Sequence, residues 1–324
     1  MTALPAWISA ALQDRLENVS RAALRERAQT ISDRYRASGA SYVISSDFDA
    51  LAYAAVRMPA TFAAVRAALD QGIAIAPAFA PQSALDVGAG PGTASWAAAD
   101  AWPMLQRTTL VDSNPYLLTL AQQLRGSAAA PGIDVSAVQA GIPAFLSEAR
   151  PADLVLASYV LGELAAPQFD DVLGKLWSLA DDLLVILEPG TPRGFQRILH
   201  CRQLLLAHGA QLIAPCSHEG VCPLAASERW CHFGARLPRS RDHQSIKHAF
   251  VPYEDEKFSY LVAGRGFAGI ARGRRILATP KVTKAAIALS LCAPGKVDER
   301  VIERRQKDAY RAAKRHGWGG AIDL

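Results

Sequence analysis

The sequence predicts an α/β protein, in which a doubly wound parallel sheet follows a helical cap and precedes a cysteine-rich extension. Short apolar stretches alternate with helical stretches after residue 81, which is typical of parallel strands joined by crossover helices. A glycine-rich turn follows the first of these stretches, where a strand would pass into a helix. Residues 1–80 show apolar positions at helical spacing alone.

Composition favours a soluble globular protein. The chain has 324 residues, of which 50% are hydrophobic and 20% are charged, and this usage excludes a disordered chain. No apolar run reaches the roughly 18 residues that span a bilayer. Asp14, Arg15 and Glu17 interrupt the apolar residues near the N-terminus, so no secretory signal is predicted. We therefore expect a reducing compartment, no membrane partner and a monomer.

Charge divides the chain into two unlike parts. Residues 1–190 carry 12 Lys and Arg against 19 Asp and Glu, a balance of −7, whereas residues 191–324 carry 23 against 11, a balance of +12. A basic C-terminal part is typical of proteins that bind polyanions. A solvated basic surface is the alternative.

The first predicted segment, residues 1–80, is the helical cap. Apolar residues recur at helical spacing over 5–40 and over 47–69. Pro77 and Pro81 end this region.

The second segment, residues 81–210, is the predicted Rossmann-type core. Five short apolar stretches are predicted to be its strands, and a helix is predicted from residue 191 to about residue 208. The strands are predicted over 84–87, 108–111, 133–138, 154–157 and 183–187.

The third segment, residues 211–324, is predicted to complete the sheet and to carry the cysteine-rich, basic extension. Strands are predicted over 212–214, 260–262, 276–278 and 285–291. The charged stretch 296–315 is predicted to be a basic helix or a solvated arm.

A glycine loop after the first strand is the most specific short motif. Glycine lets the backbone turn sharply and approach a ligand, and the next helix offers free N–H groups. An acid stands two residues before the first glycine, and the glycines fall as G-x-G-x-G instead of the dinucleotide pattern G-x-G-x-x-G. Both details resemble S-adenosylmethionine-dependent methyltransferases. The residues concerned are Asp86, Gly88, Gly90 and Gly92.

An acidic partner for this loop stands at the end of the second strand. Asp112 lies about twenty residues past the loop, where a carboxylate would accept hydrogen bonds from the ribose hydroxyls. Ser113 would flank the adenine, and Ser158 and Tyr159 would face the methionine end. A tight turn without a ligand is the alternative.

The chemistry after cofactor binding stays open. The segment after the fourth strand, 157–160, lacks the Asn/Asp-Pro-Pro-aromatic pattern of amino-group methylation. Methylation of cytosine C5 needs a cysteine nucleophile. Cys216 looks like one, but it comes later in the chain than the nucleophile of those enzymes. No catalytic residue is predicted.

Four of the five cysteines form a candidate metal site. In a reducing compartment, cysteines are more often metal ligands or buried thiols than members of disulfides. Cys201 lies in an apolar helix and is predicted to be core. Four thiolates suit an iron–sulfur cluster or zinc, and the spacing does not choose between them. The candidate ligands are Cys216, Cys222, Cys231 and Cys292.

Several longer segments resemble one protein family. Together they are similar to the Rsm-type methyltransferase-like proteins of the small ribosomal subunit, which include mitochondrial assembly factors and bacterial relatives. The most specific are Glu-Pro-Gly-Thr-Pro at 188–192 and Glu-Asp-Glu-Lys-Phe-Ser-Tyr at 254–260; the others lie at 57–63, 85–92, 158–164, 216–223 and 230–233.

The resemblance implies a Rossmann-type methyltransferase domain that binds S-adenosylmethionine, carries a 4Fe–4S cluster on the four candidate cysteines and associates with the small ribosomal subunit and its rRNA. The sequence departs from the family pattern at Ser217, where proline is usual. It implies either rRNA methylation or an assembly factor that binds cofactor and RNA without catalysis. The expected location is the bacterial cytoplasm on ribosomes, or the mitochondrial matrix in a eukaryote.

Basic residues around the cysteine loop and the last strands are the candidate contacts to RNA phosphates. The acidic run 254–256 opposes phosphate there, and we expect it to pair with neighbouring arginines. The candidate cations are Arg236, Arg239, Arg241, Lys247, Arg265, Arg272, Arg274, Arg275, Lys281 and Lys284.

Overall fold

The computed structural model of the protein describes residues 1–38, 43–128, 130–267, 269 and 272–323. Its N-terminal part is helical, as predicted, with α1 (Ala6–Leu16), α2 (Arg21–Ser38) and α3 (Asp47–Ile75). The stretch predicted as one helical region over 5–40 is two helices, because the Ser20 hydroxyl accepts a hydrogen bond from the backbone N–H of Ala23 and starts a new helix. Residues 39 and 40 lie outside the described residues.

The central sheet has eight strands. Its main path runs β3-β2-β1-β4-β5-β8-β6, and β7 pairs with β8 beyond that path. The strands are β1 (Ser83–Val87), β2 (Arg107–Asp112), β3 (Asp134–Gln139), β4 (Ala152–Ser158), β5 (Ala180–Pro189), β6 (Gln211–Ala214), β7 (Phe233–Pro238) and β8 (Tyr253–Gly264).

The first five strands are parallel, and β8 is antiparallel to both β5 and β6. This order confirms the predicted Rossmann-type methyltransferase fold. Helices connect the strands along the chain. They are α4 (Thr93–Ala101), α5 (Pro115–Arg125), α6 (Ile142–Leu146), α7 (Phe169–Leu179), α8 (Pro192–Ala207) and α9 (Arg241–Lys247).

The sheet separates two hydrophobic cores. One core joins the N-terminal helices to α4 and α5, with Phe62 and Trp96 among its buried residues. The other lies under α7 and α8, with Leu176 and Trp177 in its centre. The helical cap therefore packs directly on the sheet. In the described part of the chain, no helix combines the length and the apolar character that a bilayer crossing requires.

The last residues form a small module of their own, which we call the C-terminal module (residues 274–322). A three-stranded antiparallel sheet packs under one helix, around Ile287, Leu289 and Ala313. The elements are β9 (Arg274–Arg275), β10 (Lys281–Val282), β11 (Ala286–Ala293), β12 (Lys296–Glu303), α10 (Lys307–Arg315) and β13 (Ala321–Ile322).

Two predictions for this region need correction. The stretch 296–315 is neither one helix nor an arm, because residues 296–303 form β12 and only the residues from 307 onward are helical. The strand predicted over 276–278 is wrong: within these three described residues the only ladder contact is a single bridge from Ile276 to Leu291, and the two-residue strand β9 ends just before it. Five of the eight residues of β12 are charged, so its strand pattern was hidden by charge.

Candidate functional site

The glycine loop connects β1 to α4 in the conformation that glycine favours. Gly88, Gly90 and Gly92 have φ angles of 70°, 54° and 77°, which L side chains rarely adopt. A Cβ on Gly88 would lie 2.3 Å from Val160, and one on Gly92 would lie 2.8 Å from the Trp96 indole. At both positions the backbone therefore leaves no room for a side chain.

Asp112, at the end of β2, is tied to this loop. One carboxylate oxygen accepts the backbone N–H of Gly90 at 2.8 Å, and the other accepts that of Asn114 at 2.8 Å. Burial raises the pKa of Asp112, while these hydrogen bonds act in the opposite direction. Each carboxylate oxygen has two lone pairs, so the group can still accept from the hydroxyls of a ligand.

A cavity of about 790 Å³ opens over the loop, which is within the usual range for small-molecule sites. Helices α2 and α3 of the cap cover it. Six of the eight residues predicted to bind the cofactor line this cavity. They are Gly88, Gly90, Asp112, Ser113, Ser158 and Tyr159.

Gly92 and Asp86 are not among the residues that line the cavity. Gly92 is the N-cap of α4. Asp86 is fully buried, and one of its oxygens accepts hydrogen bonds from the backbone N–H and hydroxyl of Ser95. Its other oxygen has no partner. Burial raises the pKa of Asp86 to about 7. Through its hydrogen bonds to Ser95, Asp86 holds β1 against α4 from behind the loop.

Charged residues that the motif analysis missed line the far end of the cavity. Arg57 of α3 forms an ion pair with Glu256 of β8 at 3.1 Å, and the Tyr159 hydroxyl donates to Glu256 at 3.4 Å. Tyr159 has a φ of 60°, unusual for a residue with a side chain. Burial raises its pKa well above the ordinary value, so the phenol stays protonated.

A second buried pair lies on the same wall. Glu188, at the end of β5, is fully buried and bonds to Arg197 of α8 at 2.7 Å. Burial raises the pKa of Glu188, and Arg197 opposes that rise. In the sequence, only the Glu-Pro-Gly segment of the family resemblance points to this region, because the spacing of one Glu and one Arg does not by itself indicate a pocket.

The four candidate cysteine ligands line a second, smaller cavity of about 30 Å³. Cys216 follows β6, Cys222 and Cys231 lie in the loop before β7, and Cys292 lies on β11. Among the described residues, no three His, Cys, Asp or Glu side chains are arranged to hold a single metal ion. The fifth cysteine, Cys201, is fully buried in α8, as predicted.

The environment of these thiols is buried and flanked by positive charge. Burial and neighbouring thiols raise the pKa of Cys231 well above its usual range, and burial raises that of Cys292 to about 12. Arg202 and Arg275 both line the cavity, and they lower the pKa of Cys216 against the larger effect of burial. The raised pKa values keep Cys216, Cys231 and Cys292 protonated unless a metal binds them.

The two cavities share no lining residue, although α8 borders both of them. Cys216 therefore faces the cysteine cavity and not the glycine loop. A cysteine that attacks cytosine must lie beside the transferable methyl group. The geometry thus gives no support to the alternative of a cytosine-C5 nucleophile at Cys216.

Most of the predicted RNA-contacting cations have partners inside the protein. Seven of the ten bond to carboxylates, an amide or backbone carbonyls. Those seven are Arg236, Arg239, Lys247, Arg265, Arg272, Arg274 and Arg275.

The acidic run in β8 pairs with three arginines. Glu254 bonds to Arg239 at 3.2 Å, Asp255 to Arg236 at 2.7 Å, and Glu256 to Arg57. The expected pairing of 254–256 with arginines is confirmed. Arg241, Lys281 and Lys284 are the remaining cations of the predicted set.

Comparison with protein families gives one match, to a family described as mitochondrial small ribosomal subunit Rsm22, over residues 47–323. The human ribosome assembly protein METTL17, mitochondrial, is 28% identical over 297 residues, which are 85% of this chain and 62% of that protein. The Schizosaccharomyces pombe Rsm22-cox11 tandem protein 2, mitochondrial, is 25% identical, over 75% of this chain and 38% of its own. The chain thus spans less than two thirds of these relatives.

Solved structures resemble the chain at low identity and with low TM-scores. Magnesium protoporphyrin IX methyltransferase of Synechocystis with bound SAM has a TM-score of 0.43 and 15% identity, covering 82% of this chain and 100% of that one. The RNA methyltransferase-like protein PH1948 of Pyrococcus horikoshii has a TM-score of 0.39 and 12% identity, covering 61% and 83%.

Proposed function

The chain belongs to the Rsm22 family, and from this membership we propose that it acts in small-subunit ribosome assembly as a methyltransferase-like protein that binds S-adenosylmethionine. The family relationship supports the ribosomal role, since the human relative is a ribosome assembly protein. The observation that carries the cofactor proposal is the cavity itself. Six residues chosen from the sequence line its walls.

The residues present fit an adenosyl ligand. The glycine backbone approaches the cavity where a Cβ on Gly88 would clash, and Asp112 has free lone pairs for the ribose hydroxyls. Ser158 and Tyr159 would contact the methionine end. S-adenosylmethionine supplies an electrophilic methyl group when bound. The charged wall of Arg57, Glu256 and Tyr159 would then orient whatever approaches that group.

Calorimetry with S-adenosylhomocysteine tests this proposal. Asp112→Ala should lose at least 10-fold in affinity, because a ligand hydroxyl would lose its acceptor. The control variant Asp134→Ala also removes a carboxylate, but at the exposed start of β3, away from the cavity. This variant should bind the ligand like wild type. Absence of heat with the wild-type protein would refute cofactor binding.

We propose that the ribosomal partner includes small-subunit rRNA, and that the compartment is that of the ribosome, the mitochondrial matrix if the organism is eukaryotic. The basic balance of residues 191–324 supports an RNA partner. Incubation with methyl-tritiated cofactor and immature small-subunit RNA separates the two roles. Label transfer indicates rRNA methylation, whereas tight RNA binding without transfer indicates an assembly factor.

We propose further that Cys216, Cys222, Cys231 and Cys292 hold a 4Fe–4S cluster. The four thiols line one cavity although they come from two segments, the loop between β6 and β7 and strand β11, and Arg202 and Arg275 would balance the negative charge of a thiolate-bound centre. Zinc is the alternative centre. Its ligands would converge to about 2.3 Å from one ion, and no three His, Cys, Asp or Glu side chains of the described residues are so arranged. The cluster would cross-link the loop before β7 to β11.

Anaerobic purification tests the metal assignment. A brown protein with iron and sulfide supports the cluster, whereas a colourless protein with stoichiometric zinc refutes it. Cys222→Ala and Cys231→Ala should lose the metal. Cys201→Ala is the matched control and should retain it, because Cys201 lies outside the cysteine cavity.

A further inference from the structure

The cations of the C-terminal module differ from those around the cysteine loop, because many of them are unpaired. Residues 281–316 contain ten Lys and Arg against four Asp and Glu, a balance of +6. Within this fully described stretch, seven exposed cations make no side-chain hydrogen bond and no ion pair. They are Lys281, Lys284, Lys296, Arg304, Lys307, Lys314 and Arg315.

Helix α10 arranges its cations on one face. Lys307, Arg311, Lys314 and Arg315 stand at positions i, i+4, i+7 and i+8, which occupy an arc of about 100° on a helix. All four are exposed. The opposite face packs through Tyr310 and Ala313 onto the small sheet, so the orientation of the charged face is set by the fold.

The charged face continues beyond the helix. The backbone N–H of Arg304 donates to the carbonyl of Ala285 at 2.8 Å, which brings Lys284 beside the start of α10. Along α10 the cations extend over about 12 Å. One nucleic-acid strand presents several phosphates over that length.

We propose that this surface, the cationic face of α10 with Lys284 and Arg304, binds RNA backbone phosphates. The proposal deepens the proposed function, because it rests on RNA as a partner and assigns the contact to a specific surface. Unpaired cations bind phosphate without first breaking an internal ion pair, unlike the cations around the cysteine loop. The one acid on this face, Asp308, pairs with Arg311 at 3.3 Å and is solvent-exposed; such a pair is weak and easily exchanged.

The chemistry of α10 favours RNA over a lipid surface. An interfacial membrane helix buries an apolar face in the bilayer. The apolar residues of α10 are already occupied by the sheet beneath it, and its exposed face carries only charge. Guanidinium groups are suited to bidentate phosphate contacts.

The test uses the full-length protein and a fluorescein-labelled RNA stem–loop, with binding measured from roughly 50 to 200 mM salt. The triple variant K307Q/K314Q/R315Q should bind about 100-fold more weakly at low salt, and the slope of log K against log salt should fall by about 2 to 3. Gln keeps the helix propensity. The charge-preserving variant K307R/K314R/R315K should bind like wild type.

The matched control is R107Q/R150Q/K175Q, which removes the same charge from positions outside the C-terminal module, two of them exposed and Lys175 half-buried. This control should lose little affinity. Equal losses in the two triple variants, or none in either, would overturn the surface assignment while leaving RNA binding intact. Failure of the wild-type protein to bind RNA would overturn the RNA partner itself. Binding to phosphatidylserine vesicles without RNA binding would replace RNA by a membrane.

Discussion

The backbone N–H of Gly90 donates to the Asp112 carboxylate at 2.8 Å, across 22 residues of sequence. The two halves of the cofactor motif are therefore one structural unit. Asp112 stabilises the glycine loop directly, and it still has acceptor capacity toward the cavity. A change at either residue should affect both the loop conformation and ligand binding.

Gly88→Ala should destabilise the protein and abolish cofactor binding. The φ of 70° costs about 1–2 kcal/mol for a residue with a side chain, and the new methyl group would lie 2.3 Å from Val160. Denaturant unfolding should therefore show a loss of about 2–4 kcal/mol. The double variant Gly88→Ala/Val160→Ala should recover part of it.

Gly174→Ala is the control for this prediction. It lies in α7 with open space around it, so alanine should be neutral or stabilise the helix by up to about 1 kcal/mol. A Gly88→Ala protein as stable as wild type would contradict the close packing of the loop against Val160.

The parallel strands and the glycine loop were predictable because their residues carry strong local signals. Strands β1, β4 and β5 are buried on both faces, so they read as short apolar runs. Glycine at three alternate positions after such a run leaves few other interpretations. The alternation of strand and helix then implied the parallel order.

Strands β7 and β8 could not be located fully from the sequence, because their stabilising contacts are between strands. Only 260–262 of β8 was predicted, yet the strand extends back to Tyr253. Its exposed half carries Glu254, Asp255 and Glu256, and Asp255 lies directly opposite Arg236 of β7. Such cross-strand ion pairs stabilise a sheet, but in the sequence alone they look like a run of charged residues exposed to solvent. The charged wall of the cavity was missed for the same reason.

The stability of the protein should fall between about pH 4 and pH 7 through Asp86. Burial raises the pKa of Asp86 to about 7 in the folded protein, whereas in the unfolded chain it is about 3.9. The folded state therefore holds a proton in this window that the unfolded state has released, and the free energy of unfolding decreases as pH rises.

Asp86→Asn should remove this decrease, which is on the order of a few kcal/mol, when unfolding is followed by chemical denaturation across the pH window. Ser95→Ala should move the decrease to higher pH, because the Ser95 hydroxyl donates to the ionised carboxylate. Identical pH profiles for wild type and Asp86→Asn would show that Asp86 ionises normally.

If the proposed metal centre is present, its removal should loosen the loop that contains Cys222 and Cys231. A centre held by four thiolates is coupled to folding, because its ligands are brought together only in the folded chain. Chelation under anaerobic conditions should lower the Tm and expose the loop before β7 to protease. Cys201→Ala should leave a cavity in the core and lower the Tm, but its metal content should equal that of wild type. Unchanged proteolysis after metal loss would indicate a preformed loop.

The ion pair between Arg57 and Glu256 should couple the cap to the sheet. It joins α3 to β8 at 3.1 Å, with the Glu256 side chain only 12% exposed, and Tyr159 bonds to the same carboxylate. Arg57→Ala leaves that carboxylate without its cation. The loss of stability caused by Arg57→Ala should therefore be larger in the wild-type protein than in a protein in which Glu256 is already Ala. A double-mutant cycle should give a coupling of about 1–2 kcal/mol. The exposed pair between Arg236 of β7 and Asp255 of β8 is the control and should couple more weakly. Additive losses at Arg57 and Glu256 would show that this ion pair does not couple the cap to the sheet.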